Sequence, residues 1–466
     1  MLGAARRGEH QKHIKSRSKA KSKARCGAVT AILDNSAALP ITPPPLAPGA
    51  IVHVAYSGGL DSTVLLHFLA HYNPRFRLRA VHIHHGLQAL ADEWAEKCAR
   101  FSATLGVSFE LLKVQIDGLD PAGPEAAARD ARYEALRGLM QPGDCLATAH
   151  HRSDQAETVL LRLLRGSGVQ GLSAMRVLRP FPPGWLWRPF LELPREQLYG
   201  YAQEHGLRWI EDPHNRDPRY SRSWLRSELT PLLRERFPQV EESLARTARL
   251  SAEASILLDE LAVQDLAQAG QGEALGVSAL LALSAPRRHN LLRYWLRRQG
   301  FEMPAADMLD RVEREVLAAA EDAEPLLVWA GCELRRYRDR LYAMAPLPPP
   351  PAVDTPLAWT SEQLGLPPGC GLLRLPVAPP PGLSVRFMRG GERFRPAQGA
   401  YSRTLKNLFQ EAGVPPWVRL RTPLVEAGGE LIYIAGVGGN ARWRELFPGT
   451  AEQPAWLQAP VGAASG

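Results

Sequence analysis

The chain of 466 residues is poor in cysteine: Cys26, Cys98, Cys145, Cys332 and Cys370 lie far apart, and no Cys-x-x-Cys pair occurs. This spacing argues against a zinc ribbon, a redox dithiol and a disulfide framework, and it suits a cytoplasmic, reducing environment. No apolar run approaches the roughly 18 to 20 residues that a membrane helix needs, so no membrane partner is expected. Gly-Lys-Ser/Thr is absent as well, which excludes a Walker-type nucleotide loop. Acidic charge is missing only at one end. Residues 1–25 hold nine Lys and Arg against one acid, Glu9; setting these aside from totals of 56 and 48 leaves 47 of each sign. The net charge of +8 therefore sits in the tail, and any RNA site in the body must come from local clustering.

What is present divides the chain. The expected segments are a basic, proline-rich disordered tail (1–49), a catalytic domain (50–218), a helical middle domain (219–345), a proline-rich linker (346–383), a C-terminal domain (384–455) and a short tail (456–466). Strands are expected at Ile51–Tyr56, Leu78–Ile83, Ser108–Ile116 and Asp144–Ala149. Helices are expected between and after them, near Ser62–His71, Leu90–Leu105, Pro124–Met140 and Asp154–Arg165. Such alternation predicts an α/β fold with a parallel sheet covered on both faces, whose ligands sit beyond the carboxyl ends of the strands. Past Arg219 the pattern turns helical, at 221–236, 241–269, 287–299 and 305–320. The C-terminal domain reads as small and α+β, with a helix near 402–412 and a strand at 431–437.

The strongest signal is Ser57-Gly58-Gly59-Leu60-Asp61-Ser62, where the first strand runs into the first helix. Adjacent glycines let the backbone approach an anion, and the helix N-terminus points its positive end at the same spot. Ser57, Ser62 and Thr63 add hydroxyl donors, and Asp61 is suited to hold the Mg²⁺ that accompanies a polyphosphate.

With Ala80-Val-His-Ile-His-His-Gly-Leu87, Glu125-Ala-Ala-Ala-Arg-Asp-Ala-Arg-Tyr133, Thr148-Ala-His-His-Arg-Ser-Asp-Gln-Ala-Glu-Thr158 and Tyr220-Ser-Arg-Ser-Trp-Leu-Arg226, this loop resembles the tRNA(Ile)-lysidine synthetases of the ATP-pyrophosphatase (PP-loop) superfamily. Arg389-Gly-Gly-Glu-Arg393, Leu405-Lys-Asn-Leu-Phe-Gln-Glu411 and Pro415-Pro-Trp417 are similar to that family's C-terminal domain. The resemblance implies a PP-loop catalytic domain and a two-step ligation. ATP adenylates the C2 oxygen of the wobble cytidine in a CAU-anticodon tRNA(Ile). The ε-amino group of free L-lysine then displaces AMP, and the products are lysidine, AMP and pyrophosphate. Whether the enzyme works as a homodimer stays open.

Each candidate residue has a plainer alternative. Ser57, Gly58, Gly59, Leu60, Asp61 and Ser62 form an ATP loop, or a Ser-Gly turn capping a helix. His82 and His84 share one face of a strand and suit a nucleotide pocket by resemblance, a metal, or packing. Arg129 and Arg132 stand three apart on a helix. They either stabilise charge on a transferring phosphoryl group or make surface ion pairs, for example with Glu125. Asp154 and Glu157 receive the lysine ammonium by resemblance, or favour a helix N-terminus as any acid would. Arg222, Arg226, Arg288, Arg293, Arg403 and Lys406 are candidate tRNA contacts. The arginines of 287–298 and Arg335, Arg336, Arg338 and Arg340 belong equally to solvated faces. Departures from the family pattern are Ser153 for an acid, His214 for Ser, Ser223 for Asn, and Gln398-Gly399 for Gly-Arg.

Overall fold

Ile51–Ala55 form β1, whose Val52 and Val54 are fully buried, as a strand covered on both faces requires. α1 (Leu60–Tyr72) follows, then β2 (Arg77–His84), α2 (Ala91–Thr104), β3 (Ser108–Lys113), α3 (Pro124–Gly138), β4 (Cys145–Ala147) and α4 (Arg152–Leu164). A hairpin comes next, β5 (Leu178–Phe181) with β6 (Gly184–Trp187), and then α5 (Arg195–Glu204). The computed structural model describes residues 39–47, 49–72, 76–84, 91–114, 124–211, 221–270, 273–302, 306–320, 323–352, 356–397, 401–448 and 454–458. The basic tail before Leu39, His85, the Glu125 side chain, His214, Tyr220 and Gln398-Gly399 lie outside the described residues.

The strands form one sheet in the order β3-β2-β1-β4-β6-β5, parallel except for the β5–β6 pair. Chain direction across the sheet reverses between β1 and β4: β2 and β3 extend to one side, and β4 with β6 to the other. A crevice opens at such a switch point, outside the strands' carboxyl ends. The segments after β1 and β4 both enter it. His53 fixes this pair of strands from within, its Nε2 lying 2.9 Å from Asp144 Oδ2, while the Ile51 amide donates to Asp144 Oδ1 at 3.0 Å.

The proline-rich stretch 39–47, expected to belong to the disordered tail, packs against this core. Leu39 is 7% exposed, and Ile41 and Leu46 lie against the same cluster as Val52, Val64 and Leu65. Proline sets an extended backbone but does not prevent an apolar neighbour from being buried.

Two compact units divide at Ser255 and Ile256. In the first, residues 221–236 form a helix interrupted by one π-helical turn, Leu225–Leu229. The 30-residue helix Val240–Ala269 crosses the division. The second unit has the expected helices, among them Ala285–Arg298, and also a four-stranded antiparallel sheet. That sheet joins Ala274–Gly276 to Leu326–Trp329, Cys332–Tyr337 and Arg340–Met344. Towards the C-terminus Leu383–Arg386, Leu424–Ala427 and Glu430–Ile434 are central strands of a five-stranded sheet, accompanied by the helix Leu405–Glu411.

Candidate active site

The loop after β1 is held from both sides. Gly58 has φ of +82°, and a Cβ there would lie 2.7 Å from Ile210 Cδ1 and 2.8 Å from Cys98 Sγ. The Ile210 amide donates to the Gly58 carbonyl at 2.8 Å, so the chain after α5 closes on the loop. Glycine is therefore required at 58 by both backbone and space. Gly59 is different: its φ is ordinary, and a Cβ would meet nothing closer than Ser57 Oγ at 3.6 Å. Ser57 and Ser62 hydroxyls are 3.0 Å apart; Ser62 Oγ donates to the Gly59 carbonyl at 3.0 Å, and Thr63 Oγ1 to that of Gly58 at 3.3 Å. These bonds form a turn at the start of a thirteen-residue helix, where unpaired amides favour an anion.

Asp61, in the first turn of α1, faces a guanidinium and an imidazole. Arg195 Nε is 3.4 Å from Oδ1, and His151 Nε2 is 3.8 Å from Oδ2. His151, the residue just past β4's turn into α4, is 2% exposed and also lies 3.4 Å from Asp154 Oδ2. It thus links the phosphate loop to the acidic pair.

That pair is occupied from within the chain. Arg226 donates through Nε to Glu157 Oε1 at 2.8 Å and through Nη2 to Oε2 at 3.0 Å and to Asp154 Oδ1 at 3.2 Å. The π-helical turn carries this guanidinium to both carboxylates. Burial raises the Glu157 carboxyl above its usual range even though Arg226 opposes it. Burial acts the same way on Asp154, but His151, His150, the His151 amide and Arg226 together hold it below that range. Other residues of the same motif support the backbone: Gln155 exchanges hydrogen bonds with the Met175 main chain at 2.8 and 3.0 Å, and Thr158 Oγ1 donates to the Asp154 carbonyl at 2.7 Å.

A cationic set flanks the acids. Arg188, at the end of β6 and 3% exposed, is lowered to about 10 by burial and by Arg179 and Arg129, with Tyr133 opposing. His150 is pushed down to about 3, first by burial, with Arg188, Arg129 and Arg222 adding to the effect, so it is neutral. Arg129 stacks over Tyr133 at 5.2 Å. Arg132 is exposed. Arg222 Nη2 lies 3.4 Å from Thr158 Oγ1.

The other candidates separate. His82 is 6% exposed, donates from Nδ1 to the Tyr56 carbonyl at 2.9 Å and is held neutral by burial, so it packs beneath the loop. His84 lies 3.2 Å from Asp92. Among the described residues no group of three or more His, Cys, Asp or Glu is arranged to hold a metal ion. A Mg²⁺ here would rest on Asp61 together with the phosphates it accompanies, which is how that ion is commonly held.

In the second unit Arg288 is engaged within the fold. Its guanidinium reaches Glu313 at 2.9 and 3.1 Å and the Leu280 and Leu283 carbonyls, and its side chain is 11% exposed. Arg287 pairs with Asp265, and Arg297 with Asp259. Arg336 caps the carbonyls of Leu317 and Ala319, and Arg335 pairs with Glu333. Arg293 is half-buried, while Lys406 and Arg403 are exposed, the latter paired with Glu411.

His151, Arg188, Arg195 and Ile210 were not singled out from sequence. Arg188 follows a strand end beside β4, but Pro180, Pro182 and Pro183 obscured the hairpin that puts it there.

Three family models match the chain: a PP-loop domain at residues 38–233, a TilS substrate binding domain at 275–342 and a TilS substrate C-terminal domain at 383–456. A tRNA(Ile)-lysidine synthase of Alkalilimnicola ehrlichii is 46% identical over 409 residues, covering 85% of this chain and 92% of the relative. One of Methylococcus capsulatus is 42% identical and covers 88% and 95%; one of Xanthomonas axonopodis pv. citri is 42% identical and covers 93% and 97%. Among solved structures, a U34-tRNA thiolase from Methanococcus maripaludis matches at 21% identity and a TM-score of 0.38, covering 44% of this chain and 73% of its own, a likeness too weak to argue from. A PP-loop domain marks a family of ATP users, and identity at this level over nearly the full length of both proteins is decisive: the chain belongs to the tRNA(Ile)-lysidine synthase family.

Proposed function

We propose that this protein ligates L-lysine to C2 of the wobble cytidine in CAU-anticodon tRNA(Ile), consuming ATP and releasing AMP and pyrophosphate. One observation carries the reading beyond family membership. The loop at the start of α1 and the acidic pair lie next to one another, bridged by His151, 3.8 Å from Asp61 and 3.4 Å from Asp154.

In the first step the C2 oxygen attacks the α-phosphorus, and the bond to pyrophosphate breaks. The loop amides and the hydroxyls of Ser57 and Ser62 hold the polyphosphate. The chemistry of Asp61 suits Mg²⁺, which would neutralise phosphate charge. Arg129 and Arg132 supply positive charge for the transferring phosphoryl group, with Arg188 behind them. Gly59 has no internal need for glycine, so its role is close approach of the nucleotide.

In the second step the ε-amine of lysine attacks C2, and the C2–O bond breaks to release AMP. A C2 oxide leaves poorly, whereas AMP leaves well, and the amine is nucleophilic only when unprotonated. Asp154 and Glu157 receive the lysine side chain once Arg226 has moved off them. Arg226 and Arg222 then turn to RNA phosphates, with Arg293, Arg403 and Lys406 as further contacts.

The rival tRNA thiolase chemistry needs a reactive thiolate to carry sulfur. The four described cysteines are buried, and burial pushes Cys98, Cys145 and Cys332 up to about 12. The test is incubation with CAU-anticodon tRNA, ATP, Mg²⁺ and labelled lysine. Label in the tRNA is expected, and AMP release without any label would overturn the assignment.

A further inference from the structure

The helices α1 and α5 lie side by side and run in the same direction. Asp61 meets Arg195 near their amino ends; further along, His67 Nδ1 lies 3.0 Å from the Tyr201 hydroxyl, and both pairs are separated by 134 residues of chain. Both amino ends therefore stand at the loop after β1. α1 brings its unpaired first amides there. α5 brings the side chain of its first residue, Arg195, and its cap residue, Pro194, makes no side-chain hydrogen bond. Past α5 the chain returns to the same loop, where the Ile210 amide donates to the Gly58 carbonyl at 2.8 Å.

Arg195 meets Asp61 through Nε alone, at 3.4 Å, and its side chain is 47% exposed. Among the described residues neither of its Nη atoms has a hydrogen-bond partner. Arg226, on the far side of His151, is the contrast, with Nε and Nη2 both taken by carboxylates. A guanidinium whose two Nη atoms are free is a fork matched to a pair of phosphate oxygens. Its position says which phosphates. Arg129, Arg188 and Arg222 act together on His150, beyond the end of β4, whereas Arg195 stands with Asp61 at the loop.

We infer that Arg195 holds the β- and γ-phosphates of ATP, and the pyrophosphate they become, between its two Nη atoms. The inference rests on the ATP reading of the loop given above. When the bond from the α-phosphorus to its bridging oxygen breaks, the electron pair leaves with pyrophosphate, and the guanidinium stabilises the charge that gathers there. AMP carries neither of those phosphates and gains nothing from Arg195.

The test is titration calorimetry on the full chain, without tRNA, using Mg²⁺ with either inorganic pyrophosphate or AMP. Arg195→Gln should weaken pyrophosphate binding about tenfold and leave AMP binding within about twofold of the wild type, as loss of a charge-assisted contact to one ligand requires. Unchanged or tighter pyrophosphate binding would make Arg195 a plain counter-ion to Asp61 and overturn the proposal. An equal loss on both ligands overturns it too, since a distorted site would act on both. A wild-type chain that binds no pyrophosphate sinks the loop reading as well, so the two failures are told apart. Phenylglyoxal, which modifies arginine, supplies a measurement that needs no variant. Pyrophosphate should shield the peptide holding Arg195 where AMP does not, and equal modification with and without pyrophosphate overturns the proposal.

Discussion

The acidic pair is held by one side chain of the same protein. Arg226 neutralises Glu157 and Asp154 with three hydrogen bonds, so the carboxylates need not face the crevice unpaired. On the function proposed above, the same guanidinium stands where the lysine ammonium would bind, so the two cations would compete. Glu157→Ala should therefore raise the lysine KM by about 10-fold or more, since a charge-assisted hydrogen bond contributes roughly 1.5 to 3 kcal/mol. It should still transfer label from α-³²P-ATP to the tRNA when lysine is withheld. Arg226→Gln should act oppositely on lysine, lowering its KM, while raising that of tRNA. Steady-state kinetics varying each substrate in turn reads both effects. A Glu157→Ala enzyme that couples lysine at the ordinary concentration would leave these acids with only their helix-end role.

At the scale of elements, the loop and the strand pair β1–β4 set the geometry on which those residues depend. Gly58→Ala puts a Cβ into Ile210 and Cys98 at a positive φ, so it should lower Tm by several degrees and suppress AMP release. The left-handed backbone alone costs roughly 1 to 2 kcal/mol for an L-residue. Asp144, which ties β1 to β4, gives a pH signature. Burial raises its carboxyl, but the Gln141 amide, His53 and the Ile51 amide outweigh this and hold it below the ordinary value. A depressed carboxylate stabilises the fold above its unfolded value, near 3.9, and that stabilisation is lost as pH falls through the folded value. Asp144→Asn should therefore be less stable than the parent at pH 7, and the gap should close below about pH 4 in denaturant titrations. The elements that make this site were legible because their sequence periods are clean: a β-branched strand, two glycines, then a helix. The strands at 326–344 were not, because Glu333, Arg335 and Arg336 break the apolar alternation while their charges are paired or capped inside the fold. The role of Arg226 was hidden for a similar reason. The sequence offers Arg226 only as a candidate tRNA contact, and the fold places it on two acids 69 and 72 residues away.

For the whole molecule, the boundary between tail and domain decides where the chain can be shortened. The proline-rich composition of 39–49 reads as linker, yet Leu39 is buried and Ile41 and Leu46 pack on the core. The PP-loop family model likewise begins at residue 38. Two truncations should therefore behave differently. Removing residues 1–37 takes away the nine basic side chains of the tail but none of these apolar contacts, so the melting temperature should hold. Removing residues 1–46 uncovers the core. Leu39 alone contributes about 1.5 to 3 kcal/mol on the usual scale for a buried leucine. In a domain of this size each kcal/mol moves Tm by about 2 to 4 °C, so a fall of several degrees is expected in a thermal melt. The shorter cut also isolates the electrostatic question. With the body balanced in charge, the tail supplies the net +8, and its hold on RNA would be through phosphates and sensitive to salt. At moderate salt the shorter truncation should keep the tRNA KM within about threefold of the full chain. A loss beyond about tenfold, roughly 1.4 kcal/mol, would make the tail a substrate contact. Recovery of that loss by lowering the salt would identify the contact as one to phosphate, because only the charge term strengthens there.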